Sequence, residues 1–136
     1  MSEQQNIQTV QQIYADFGQG NIPAILGRLS PEVAWVNAGP ESVPYARRRQ
    51  GVDAVQSFFA SLGAAVEVQS FEPKEFFASG DRVVVLGAWS GQAKPTGKPF
   101  ASEWAMAWTL RDGKVTSFRS YEDTHAIAAA FAAASR

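Results

Sequence analysis

Residues 99–125 read PFASEWAMAWTLRDGKVTSFRSYEDTH, from Pro99 to His125, and the fold is decided there. The stretch predicts two long strands joined at Asp112-Gly113, a dipeptide suited to the left-handed backbone of a two-residue hairpin. On the first strand Phe100, Trp104, Met106, Trp108 and Leu110 point one way, with Ser102 the only polar member of their row. Ala101, Glu103, Ala105, Ala107 and Thr109 point the other way, so the period is two. Counting back from the turn predicts Leu110 opposite Val115, Trp108 opposite Ser117, Met106 opposite Arg119, Trp104 opposite Tyr121 and Ser102 opposite Asp123. Facing residues share a side of the sheet. The aromatic face is therefore expected to gather Arg119, Tyr121 and Asp123. Burying a guanidinium or a carboxylate costs several kcal/mol unless it is paired, so such a face suits a ligand pocket better than a closed core.

Upstream of the hairpin, Ser2 to Gly18 predicts a helix. Ser2 and Gln5 have capping-box spacing, Ile7, Val10, Ile13, Tyr14 and Phe17 form one stripe, and Gly18 and Gly20 end it. Asn21 can cap a second helix over Ile22 to Leu29, closed by Ser30-Pro31. Val33 to Asn37 is a short strand with Val33, Trp35 and Asn37 on one side. Ala38 to Gln50 is expected to be loop, its Arg47-Arg48-Arg49 run a solvated segment or a cover for the pocket mouth. Gly51 opens a third helix to about Leu62, with Phe58 on its apolar stripe. Strands over Ala65 to Ala78, Arg82 to Gln92 and Phe100 to Arg111 follow, then Lys114 to Thr124 and a last helix from Thr124.

This order gives an α+β domain, with helices packed on one face of a curved antiparallel sheet and a cavity between them. The other face, with Ala101, Ala105, Ala107 and Thr109, is small and flat and suits a second copy of the chain, a homodimer. Across that face Glu103 is expected beside Glu122, an unfavourable like-charge pair.

At 136 residues the chain, 1–136, is expected to form one domain. A net charge of −1, from 12 Lys plus Arg against 13 Asp plus Glu, gives no electrostatic reason for a nucleic-acid or membrane partner. Without Cys there is no disulfide framework or thiol nucleophile, and one His leaves no metal-ligand spacing, so no metal is expected. The opening residues lack a basic and apolar leader, and a cytoplasmic protein is the expectation.

The segments IYADFGQGNIPAIL, VAWVN, RQGVDAVQSFFASL and FASEWAMAWTLRDGKVTSFRSYEDTHAI resemble the nuclear transport factor 2-like (NTF2-like) superfamily, in its SnoaL-like and ketosteroid isomerase-like branch. The resemblance covers nearly the whole chain. It implies a cone-shaped sheet closed by helices (a cystatin-like α+β barrel), an internal pocket and a dimer, with no cofactor. Activity is less readable, because the fold hosts isomerases, cyclases, hydrolases, dehydratases and inert partners.

Carried over residue by residue, the isomerases' oxyanion tyrosine falls on Tyr14. Their general-base aspartate falls on Asn37 and their protonated aspartic acid on Met106, and neither residue can fill that role. SnoaL-like cyclases use an aspartate on the last strand, which matches Asp123. The resemblance thus implies Asp123 as acid or base, with Tyr14 and Tyr121 polarising oxygen. Phe17, Trp35, Asn37, Phe58, Trp104, Met106 and Arg119 would bind an apolar carbonyl or aromatic ligand. Asp123 is equally placed to cap the last helix, and His125 reads as surface or cap. The alternative function is a non-catalytic ligand-binding or dimerisation domain.

Overall fold

Ser2 opens the first helix, α1 (Glu3–Gly18): its hydroxyl accepts from the Gln5 amide at 3.1 Å while its own amide donates to Gln5 Oε1 at 2.9 Å. The structure is a computed structural model and describes residues 2–132. Along α1, Val10 and Ile13 are buried and Ile7, Tyr14 and Phe17 pack beside them, so one apolar stripe faces the sheet. Asn21 caps α2 (Ile22–Leu26) by accepting from the Ala24 amide, and α3 (Val52–Ala65) follows further along. The last helix, α4 (Thr124–Phe131), starts at Asp123, whose carboxylate accepts from the Ala126 amide at 3.0 Å.

Six strands form one sheet: β1 (Leu29–Asn37), β2 (Arg47–Gln50), β3 (Val66–Ser79), β4 (Arg82–Ala93), β5 (Pro99–Arg111) and β6 (Lys114–Glu122). Their order is β2-β1-β6-β5-β4-β3. From β3 to β6 the strands form the expected antiparallel meander, but β1 runs parallel to β6, so the sheet is mixed and open rather than a closed barrel. It curves around α1 and α3 as an α+β cone. Two bulges in β3, around Gln69 and Lys74, bend the outer end. At Gly87 on β4 a Cβ would run into the Glu72 carbonyl oxygen and the Trp104 ring, so the bend there requires glycine.

The segment expected as loop contains β2, which pairs Trp35 with Arg49 and Asn37 with Arg47 along β1. Arg49 folds back over the Phe58 ring, 5.7 Å from its centroid, and donates to the carbonyls of Ala54 and Tyr45. Edge pairing and these contacts make the segment ordered strand, where its charge suggested a solvated loop. β1 also begins earlier than expected, at Leu29, which shortens α2.

The hairpin corrects the sequence reading at its most consequential point. The turn is as expected, with positive φ at Asp112 (51°) and Gly113 (79°), and Leu110 faces Val115. Thr116 is then an extra residue: Thr109 faces Ser117, Trp108 faces Phe118, Met106 faces Ser120 and Trp104 faces Glu122. The Thr116 hydroxyl donates to the Thr109 carbonyl at 3.2 Å, holding the bulge. A slip of one residue moves every later side chain to the opposite face. Arg119 and Tyr121, expected inside, lie on the outer face opposite Ala107 and Ala105, with the Arg119 guanidinium over the Tyr121 ring at 5.3 Å. Phe118, Ser120 and Glu122 turn inward instead, and the expected Glu103–Glu122 clash does not arise because the two point to opposite faces.

Candidate functional site

Between the inner sheet face and the helices lies a cavity with an empty volume of about 550 Å³, counting its mouth. Its walls are overwhelmingly aromatic and aliphatic. Tyr14 and Phe17 come from α1, Phe58 and Phe59 from α3, Trp35 and Asn37 from β1, and Met106 and Trp108 from β5. Phe118 and Glu122 come from the re-registered β6, Trp89 from β4, and Tyr45 from the connection before β2. Phe118 stacks on Trp35 with ring centroids 4.0 Å apart, so the bulged hairpin is tied directly into the cavity wall.

Tyr14 sits deep in this space, and its hydroxyl is engaged on both sides. It accepts from the Trp108 indole N–H at 3.0 Å and donates to Met106 Sδ at 3.2 Å. Burial pushes its phenol well above the ordinary value, an effect the Trp108 hydrogen bond partly offsets. Trp104 stacks on Tyr14 and Phe71 and supports the wall from behind. Asn37 donates through Nδ2 to Ser120 Oγ at 3.0 Å, and its carbonyl oxygen has no partner among the described residues.

The other end of the cavity is where the charge lies. Burial raises the Glu122 carboxyl from 4.5 to about 7, and the Trp89 indole restrains that rise. The indole N–H faces the carboxyl without reaching hydrogen-bond geometry, so its help is electrostatic and partial. Among the described residues Glu122 has no ion-pair partner; the one ion pair is Arg28 to Asp16 at 3.7 Å. Tyr45 is 3% exposed and its hydroxyl has no partner among the described residues. Burial, then the nearby Glu122 charge, pushes that phenol far upward. Tyr45 and Glu122 also border a small second hollow beside Gly39, Thr124 and Ile127, and so form the partition between the cavity and that opening.

The sequence-predicted residues thus divide. Tyr14, Phe17, Trp35, Asn37, Phe58 and Met106 meet in the cavity, with Trp104 packed behind them. Arg119, Tyr121 and Asp123 do not. Tyr121 is 53% exposed on the outer face and Asp123 caps α4 from the surface, while His125 is exposed on the same helix. Glu122 and Tyr45 were missed. The spacing of Val115 and Phe118 carried the signal for Glu122: two large apolar residues three apart cannot both face inward without an extra residue between them. Among the described residues no cluster of three or more His, Asp or Glu could hold a metal ion, and no helix is long and apolar enough to cross a membrane.

A family model described as SnoaL-like domain matches residues 10–118. The chain is similar to an NTF2-like protein from Burkholderia xenovorans LB400, at 36% identity over 97% of this chain and 99% of that one, with a TM-score of 0.89. An NTF2-like protein of unknown function from Burkholderia pseudomallei K96243 is 28% identical over 98% and 100% of the two chains, at a TM-score of 0.85. TerC, in a structure co-crystallized with polyporic acid, is 28% identical over 93% of this chain and 98% of its own, at a TM-score of 0.83. No protein of curated function matches the chain.

Proposed function

The chain belongs to the SnoaL-like domain family of the NTF2-like superfamily, and from that premise we propose that it binds a flat, largely apolar carbonyl or aromatic compound in the cone and moves a proton on it without a cofactor. The observation that carries this reading is the single carboxyl, Glu122, raised to about 7 at the end of an otherwise apolar cavity. A carboxyl near neutrality is half-ionised at working pH and can both take and return a proton. Aromatic walls favour a planar ring. The role expected of Asp123 passes to its neighbour, because the Asp123 carboxylate is committed to the Ala126 amide. That TerC was co-crystallized with polyporic acid supports a small-molecule ligand.

The test uses 2-tetralone in D2O, with deuterium uptake beside the carbonyl followed by proton NMR. Wild type and Asp123→Asn should catalyse exchange, and Glu122→Gln should lose it. Exchange that survives Glu122→Gln would refute the assignment. Binding of polyporic acid without any catalysed exchange would favour the non-catalytic ligand-binding reading.

The outer sheet face supports a homodimer as part of the same proposal. Phe77, Val84 and Ala107 form one cross-strand row, and Leu86, Ala105 and Tyr121 the next. Phe77 is 52% exposed and Tyr121 53%, side by side with Val84 and Leu86, which makes an apolar patch rather than scattered residues. Light scattering should give twice the chain mass for wild type and the single mass for Leu86→Lys; a wild-type monomer would refute it.

A further inference from the structure

The polar atoms of the cavity differ in how far their hydrogen bonds are already made. The Tyr14 hydroxyl both accepts and donates, to Trp108 and Met106, and has little left to offer a ligand. Among the described residues Tyr45 O–H, Trp35 N–H and Trp89 N–H are donors without partners, and Asn37 Oδ1 is an acceptor without one. Tyr45, Trp35, Trp89 and Asn37 are each under 5% exposed, and all four line the cavity. Buried polar groups in folded proteins are nearly always satisfied, so four unpartnered ones around one largely apolar space point to a ligand that completes them.

We infer that the ligand's oxygens are read by Tyr45 and Asn37 rather than by Tyr14, and that the ligand is an aromatic ring carrying both a carbonyl and a hydroxyl group. The carbonyl accepts from the Tyr45 O–H, and the hydroxyl donates to Asn37 Oδ1. This rests on the cavity being the binding site proposed above, and it narrows the ligand class. The local structure holds both groups in place. Asn37 is fixed through its Nδ2 by Ser120 at the C-terminal end of β1. Tyr45 is braced by Phe58 and Trp89, with edge-on ring contacts at 6.2 and 6.5 Å, and its carbonyl accepts from Arg49. A donor held this way needs little reorganisation to meet a carbonyl oxygen.

Isothermal titration calorimetry at pH 6.5 with three naphthalenes tests the inference: naphthalene, 2-acetylnaphthalene, and 6-acetyl-2-naphthol. Wild type should bind them in rising order of affinity. Tyr45→Phe should weaken the two ketones by about five- to tenfold, the loss of one neutral hydrogen bond, and leave naphthalene unchanged. Tyr14→Phe should leave the ketone-to-naphthalene ratio unchanged. Equal affinity for all three compounds, or loss of ketone binding in Tyr14→Phe but not in Tyr45→Phe, would overturn the inference while leaving the cavity a binding site. If none of the three binds, both the inference and the functional reading fall. Without ligand, Tyr45→Phe should melt no lower than wild type, since only an unpartnered oxygen is removed; a clear drop would show the hydroxyl already engaged and contradict the assignment.

Discussion

Replacing Glu122 with Gln should stabilise the protein, by an amount that grows with pH. The carboxyl titrates at 4.5 when exposed and at about 7 in the fold. Below the lower value it is neutral in both states and costs nothing. Between the two, the unfolded chain has released its proton and the folded chain has kept it, so stability falls as pH rises. Above the upper value the carboxylate is ionised in both states and the full penalty applies. Each tenfold change in proton affinity is worth about 1.4 kcal/mol, and solvent contact at the carboxylate trims the total to about 2–3 kcal/mol. Gln has nearly the same shape and carries no charge at any pH. The variant and wild type should therefore match near pH 4.5 and separate by about 2–3 kcal/mol at pH 8, a gap in melting temperature of roughly 6–10 °C. Calorimetric melts of both proteins across that range read the difference directly, because every other titrating group cancels. A gap that stays constant with pH, or one that closes as pH rises, would refute the placement of Glu122 in the apolar cavity.

Three other substitutions separate structural roles from functional ones. Gly87→Ala should cost about 2–3 kcal/mol in urea unfolding, since its methyl group meets the Glu72 backbone and the Trp104 ring. Tyr14→Phe strands the buried Trp108 N–H and should cost about 1–2 kcal/mol, seen as a lowered melting temperature. Asp123→Ala removes the α4 cap and should cost about 1 kcal/mol in the same assay, while Glu122 keeps its raised titration.

Much of the fold was legible in the sequence because local chemistry and tertiary demand agree there. The Ser2 capping box, the Asn21 cap and the Asp112-Gly113 turn are short-range devices, and all three appear as the residues predict. So does the alternation that buries Ser102, Trp104, Met106, Trp108 and Leu110. The parallel pairing of β1 with β6 was not legible, since it joins residues about 80 positions apart and leaves no local mark. β2 was obscured by its arginines, which suit an edge strand as well as a loop.

The site was misread through a single residue. Regular counting from the turn assumes that no strand residue is skipped, and Thr116 is skipped so that Val115 and Phe118 can both face inward. That one bulge exchanges Arg119, Tyr121 and the next inward position for Phe118, Ser120 and Glu122. Tyr45 was invisible for a different reason. It lies between β1 and β2, in a stretch without periodicity, and its burial follows from its packing against Phe58, Trp89 and Phe131.

Glu122, and not Asp123, is proposed as the acid or base held in the cavity. The most direct measurement is a carbon-13 NMR titration of side-chain carboxyl resonances, assigned by comparison with Glu122→Gln and Asp123→Asn. A Glu122 resonance that titrates near 7 and moves when 6-acetyl-2-naphthol is added is the predicted result. A Glu122 resonance that titrates near 4.5 and ignores the compound would contradict that assignment.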